Sequence, residues 1–130
     1  MKQHRDTRQR NIVLSAVQAR CDHPSADQIY ADIQSIDKRI SRGTVYRNLH
    51  VLVQNGKISH IKLPGADRFD RRLDPHYHLL CTGCEAVYDV SIPYRASLDR
   101  AAAKETGCII DGHRTIFEGL CPRCREKHIK

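Results

Sequence analysis

Cys81-Thr82-Gly83-Cys84 and Cys121-Pro122-Arg123-Cys124 are two CxxC pairs separated by 36 residues, 85–120. Two intervening residues let both thiolates of a pair turn onto one cation, and four thiolates in tetrahedral array make a closed structural zinc site. The competing chemistry is a set of redox dithiols or disulfides. The run Met1-Lys2-Gln3-His4-Arg5-Asp6 is charged and has no apolar core behind it, so it does not read as a secretory signal. A cytoplasmic chain keeps its cysteines reduced. Zn2+ on Cys81, Cys84, Cys121 and Cys124 is therefore the expectation, with Gly83 and Pro122 suited to tight turns at the metal. Cys21 and Cys108 have no partner at metal spacing and are expected as small apolar core residues. A second set of donors begins at Asp74-Pro75-His76-Tyr77-His78, where His-x-His on an extended segment turns both imidazoles to one side.

These groups need elements to position them. A chain of 130 residues makes one domain or two small ones with thin cores, for which a metal staple and a partner subunit are the usual remedies. The net charge of +7 points to a polyanion, above all nucleic acid. No apolar run reaches the length of a membrane span. Residues 7–21 read as a first helix with Ile12, Val13, Ala16, Val17 and Ala19 as its apolar stripe and Arg5, Arg8, Arg10 and Arg20 on its polar side. Residues 25–36 read as a second, with Ser25 and Gln28 as a capping box and Ile29, Tyr30, Ile33 and Ile36 facing inward. Residues 41–55 read as a third, capped by Ser41 and stopped by Gly56, with Val45, Leu49, Leu52 and Val53 buried. Its outward face is expected to carry Arg42, Thr44, Tyr46, Arg47 and Asn48, side-chain types that reach phosphates and base edges, with Arg10 as a further DNA contact. A strand over 57–63, a turn at 64–67 and a return strand over 68–70 complete a winged helix-turn-helix.

The second half reads as a small α/β unit: strands at 79–81 and 86–90, a helix over 93–106 covering the sheet with Leu98, Ala101 and Ala102, and strands at 108–110 and 115–118. So short a sheet leaves exposed edges, which pairing across a two-fold axis would cover. The fold class is thus α+β: an N-terminal winged helix followed by a C-terminal dimerisation unit with a four-cysteine zinc site. His4, His50, His60 and His128 are expected on the surface.

The chain resembles the ferric uptake regulator family of metal-dependent repressors, and within it the peroxide-sensing branch. The matching stretches are His23-Pro-Ser-Ala-Asp-Gln-Ile-Tyr30, Gly43-Thr-Val-Tyr-Arg-Asn-Leu49, Arg68-Phe-Asp70, His76-Tyr-His-Leu-Leu-Cys-Thr-Gly-Cys84 and Gly119-Leu-Cys-Pro-Arg-Cys124. The resemblance implies a DNA-binding domain over residues 1–69, a hinge over 70–76 and a dimerisation and metal-binding domain over 77–130. It implies a bacterial cytoplasmic homodimer on an A/T-rich inverted-repeat operator in double-stranded DNA. It also implies a regulatory site for Fe2+ or Mn2+ made by His23, Asp70, His76, His78 and Asp89. Mixed nitrogen and oxygen donors suit those cations, whereas thiolates suit Zn2+. Such a site would bind the DNA-competent arrangement better than the open one.

In the peroxide-sensing branch, iron-catalysed oxidation falls on the histidines matching His23 and His76 and releases the metal. Asp89 favours that branch, because the iron sensors usually carry Glu there; the alternative is an iron-, manganese- or zinc-responsive repressor without peroxide sensing. Many relatives have a further site built on a His-His-Asp-His run. Here the run is Pro75-His76-Tyr77-His78, so that site is expected to be missing and His113 to be structural or free. Two other classes compete with a repressor. A hydrolase built on His76 and His78 would need a general base or nucleophile in a cleft, and no such constellation stands in the sequence. A DNA-binding protein with zinc alone would bind DNA regardless of Mn2+.

Overall fold

The computed structural model describes the backbone of residues 2–129 and the side chains of residues 7–127. The side chains of His4, Arg5 and His128 lie outside it. The chain divides into two compact units, Met1–Leu73 and Asp74–Lys130.

The first unit runs α1 (Lys2–Gln18), α2 (Ala26–Gln34), α3 (Arg42–Gln54), β1 (Ser59–Ile61) and β2 (Arg68–Asp70). Val13, Val17, Ile29, Ile33, Ile40, Val45, Leu49, Leu52 and Ile58 form one contiguous core between the three helices. The expected capping box is present: Gln28 N donates to Ser25 Oγ at 3.2 Å and Ser25 N to Gln28 Oε1 at 2.9 Å. Ser25→Ala will cost about 1 kcal/mol of this unit's stability, seen as an earlier loss of helical signal in a denaturant titration. Ser41 caps α3 through Thr44 N. The end of α3 is a Schellman turn: Lys57 N donates to Leu52 O, Gly56 N donates to Val53 O, and Gly56 takes the left-handed φ of 70° that this turn requires.

That turn shortens the first strand to Ser59–Ile61, because Ile58 is drawn into the helical core. β1 and β2 pair antiparallel, Ser59 opposite Asp70 and Ile61 opposite Arg68. Ile36, expected on the buried face, lies beyond the end of α2 and is exposed, and Ala19 likewise lies past the end of α1 on the surface.

The second unit runs β3 (Tyr77–Cys81), β4 (Val87–Val90), α4 (Ala96–Thr106), β5 (Ile116–Gly119) and α5 (Pro122–Ile129). The sheet order is β4-β3-β5, with β4 antiparallel and β5 parallel to β3, so α4 lies in the crossover that a parallel pair needs. Two expectations need correcting. No strand forms at 108–110: Gly107 ends α4 in the left-handed conformation, and the segment after it meets no strand among the described residues, leaving Ile109 94% exposed. Nor do Leu98, Ala101 and Ala102 cover the sheet; all are exposed, and among the described residues α4 buries none. Cys21 and Cys108 are exposed rather than core residues, since each sits just past the end of a helix in a segment the core does not reach.

Candidate metal centres and nucleic-acid face

The four cysteines of the two CxxC pairs come together, their sulfurs within 4.8 Å of one another. Cys81 ends β3, Cys84 closes the turn after it, and Cys121 and Cys124 stand at the start of α5, whose first residue, Pro122, is preset for a helix N-terminus. Cys84 Sγ and Cys121 Sγ are 3.9 Å apart. An edge of a ZnS4 tetrahedron with Zn–S near 2.3 Å is about 3.8 Å, so the sulfurs stand as zinc would need them.

Backbone N–H groups point at the sulfurs: Cys84 N and Cys121 N at Cys81 Sγ, 3.4 and 3.3 Å, and Cys124 N at Cys121 Sγ, 3.5 Å. The N–H of Cys121, then that of Cys84, draws the Cys81 thiol down to about 6. Its neighbours Cys121 and Cys81 push Cys124 up to about 12. Four sulfurs this close cannot all ionise beside one another, and a divalent cation is the group that resolves the conflict. Gly83 is required by space: a Cβ there would stand 2.9 Å from Cys124 Sγ.

The other donors are described unit by unit. In the first unit, the turn before α2 is sewn to the wing. Phe69 N donates to Pro24 O at 2.8 Å, Arg68 Nη1 donates to His23 O at 3.2 Å, and Ser25 forms an isolated bridge with Arg68. This holds His23 at a φ of 57°, a region that non-glycine residues seldom occupy, and sets His23 Nε2 3.3 Å from Asp70 Oδ2 with both side chains buried.

In the second unit, the β3–β4 register places His78 opposite Asp89. His76 Nε2 and His78 Nε2 stand 2.9 and 3.5 Å from Asp89 Oδ1, and the two imidazoles are 4.3 Å apart. His76 Nδ1 is 2.7 Å from the carbonyl of Asp74. A carbonyl only accepts, so Nδ1 carries the proton and Nε2 is left as the atom that could ligate a metal. Two imidazole nitrogens turned onto one carboxylate oxygen fit a shared divalent cation with nitrogen and oxygen preferences.

The Tyr77 hydroxyl is 2.8 Å from His113 Nε2, and His113 Nδ1 is 2.7 Å from Asp99 Oδ1. Tyr94 donates to the other oxygen of Asp99 and stacks on His113 at 4.5 Å. His113 is thus structural, one member of a tyrosine–histidine–aspartate chain.

On α3, Arg42, Tyr46 and Arg47 are exposed and Thr44 is half-buried. Asn48 is a correction. It is 5% exposed and its Nδ2 donates to Thr44 O at 2.9 Å. Positions 45, 48, 49 and 52 share one helical face, so the periodicity that buries Val45, Leu49 and Leu52 also carries Asn48 inward. Arg10 is half-buried on α1. Sequence reasoning left Asp27 without a role. It stands in the first turn of α2, its Oδ1 accepts from Tyr46 Oη at 2.5 Å, and it pairs with Arg42. The wing histidine His60, expected on the open surface, stacks on Phe69 at 5.3 Å and faces Asp67 at 2.8 Å.

A winged helix followed by a sheet closed with thiolates, with separate nitrogen and oxygen donor sets, defines a metal-responsive regulator. The chain belongs to the ferric uptake regulator family, whose model matches residues 1–117. It is similar to the peroxide operon regulator of Bacillus subtilis (strain 168), 32% identical over 124 residues covering 95% of this chain and 86% of that one. It is also similar to the peroxide-responsive repressor PerR of Staphylococcus aureus (strain USA300), at 31% over 95% of this chain and 84% of that one. Among solved structures, the Campylobacter jejuni peroxide stress regulator superposes with a TM-score of 0.75 at 26% identity, covering 95% of each chain. The Helicobacter pylori ferric uptake regulator Fur shares the fold, with a TM-score of 0.78 at 23% identity over 91% of this chain and 80% of that one. Among the described residues, no helix is long and apolar enough to cross a membrane.

Proposed function

We propose that this protein is a homodimeric repressor that binds duplex DNA when a regulatory Fe2+ or Mn2+ is held, and that hydrogen peroxide releases it by oxidising His23 or His76. The observation that carries the reading is the set of peroxide regulators matching nearly the whole chain, together with donors of the expected type at all five ligand positions. Zn2+ on Cys81, Cys84, Cys121 and Cys124 is structural. His23, Asp70, His76, His78 and Asp89 are the regulatory ligands. They come from both units, so occupancy would couple the DNA-binding unit to the dimerising one across residues 70–76 and fix the spacing of two recognition helices on two half-sites.

Arg42, Thr44, Tyr46 and Arg47 of α3, with Arg10 of α1, face the operator, which the family resemblance makes an A/T-rich inverted repeat. The exposed apolar side chains Ile109, Leu98 and Phe117 supply surface for the second copy. In the cytoplasm the protein acts as a sensor and not as an enzyme: each oxidation consumes a ligand.

Fe2+ when bound supplies the one-electron chemistry that activates peroxide, which Mn2+ does not. Over the whole reaction an imidazole carbon loses its C–H bond and gains one peroxide oxygen, a two-electron oxidation, while the other oxygen leaves as water. The oxidised ring is a poorer donor, so the site loses a ligand. The test loads the full chain with Fe2+ or Mn2+, adds peroxide, and follows DNA binding and peptide mass together. One added oxygen on the His23 or His76 peptide, with iron only and with loss of DNA binding, is expected. Unmodified histidines and unchanged binding in both samples would instead leave a metal-responsive repressor without peroxide sensing.

A further inference from the structure

Asp27 is a carboxylate on a face that is to meet a polyanion. Its side chain is 63% exposed, and that of its partner Arg42 is 58% exposed. A lone ion pair at such exposure seldom holds a geometry, because water and side-chain entropy offset it. Here the pair belongs to a larger set. The Arg42 guanidinium also lies over the Tyr30 ring, 4.7 Å from its centroid, and Asp27 Oδ1 accepts from Tyr46 Oη at 2.5 Å. The start of α2 favours the negative charge, since Asp27 sits in its first turn.

Arg42 and Tyr46 are one helical turn apart on α3, so a single carboxylate and a single ring orient two neighbouring side chains of the DNA-facing helix. Arg47 contrasts with them: it makes a long 3.4 Å approach to Thr44 Oγ1, which leaves its guanidinium loosely held.

We propose that Asp27 is a positioning and specificity-determining residue: its carboxylate presets Arg42 and Tyr46 for base edges and denies Arg42 to the phosphate backbone. This rests on the reading of α3 as the DNA-binding helix. A guanidinium held in a fixed plane suits two-point recognition of a base, whereas a free one collects phosphates without regard to sequence. The exposed carboxylate adds repulsion against any register that would bring a phosphate to it. Arg42 and Tyr46 then read, while Arg47 anchors.

The test uses the full Mn2+-loaded chain and two probes: a random-sequence duplex, and a duplex recovered by the wild-type chain from a randomised pool. Asp27→Asn is expected to tighten binding to the random duplex and to steepen the fall of log K with log salt by about 1, one further phosphate contact. The ratio of affinities for selected over random duplex is expected to drop roughly tenfold, one well-made base contact. Arg42→Ala should lower the ratio similarly, and Asp27→Asn added to it should leave the salt slope unchanged, because the guanidinium that would have gained a phosphate is gone. Asp27→Glu, which keeps the charge on a longer arm, should return the slope to the wild-type value.

An Asp27→Asn chain with unchanged slope and ratio overturns the proposal. So does equal weakening on both duplexes, which is what a merely structural role would give. A wild-type chain that recovers no duplex from the pool strikes first at the DNA-binding reading, and at this inference with it.

Discussion

A Cys121→Ser chain will hold no zinc and will lose the fold of residues 74–130, while residues 1–73 keep their helices. The reason is the uneven division of the core. Of the sixteen buried apolar residues among those described, the second unit holds four, Tyr77, Cys81, Val87 and Cys121, and two of these belong to the four-cysteine cluster. Its helix α4 buries nothing among the described residues, and its sheet has three strands. Structural zinc contributes on the order of 10–16 kcal/mol where it binds, as much as the whole stability of a typical domain. Hydrogen exchange read by peptide mass will show β3, β4 and β5 unprotected in the variant and α1 to α3 protected as in the parent. Protected sheet peptides in a zinc-free Cys121→Ser chain would mean that something other than the metal holds the sheet.

The second large effect is expected from Asp89→Ala. One oxygen of Asp89 faces both His76 Nε2 and His78 Nε2, so its removal takes away the group that draws the two imidazoles together. Mn2+ affinity should fall by at least about 100-fold, beyond the range for residues that merely support ligands. DNA binding should then no longer rise with Mn2+. The Asp89 side chain is 32% exposed, so no cavity opens, and zinc content should stay at the parent's level. If the variant binds DNA with the parent's dependence on Mn2+, Asp89 is not a regulatory ligand.

Legibility in the sequence followed the range of the interactions. The caps at Ser25 and Ser41, the stop at Gly56 and the CxxC pairs are local, each written within a few residues, and the structure carries them as expected. Helix α5 escaped because it is short, charged and lacks an apolar period; the Pro122 start was its one local signal. The missing strand at 108–110 reads as a strand because β-propensity is local, whereas a strand exists only against a partner. Asn48 was legible and overlooked: its position relative to Val45 and Leu49 fixes its face whatever its chemistry. The shared hold of Asp27 on Arg42 and Tyr46 crosses between helices and has no signature in spacing.

The seam between the wing and the turn before α2 has one more consequence. Phe69 N to Pro24 O, the bridge of Ser25 with Arg68, and Arg68 to His23 O make the wing strand and the His23 turn one mechanical piece. On the proposed function, whatever grips the wing also sets the stance of a metal ligand. Linkage then runs both ways: the factor by which metal raises operator affinity is the factor by which the operator raises metal affinity. A repressor seated on its operator would hold its metal more tightly than one free in solution, so occupied promoters would be the last to register a falling metal supply.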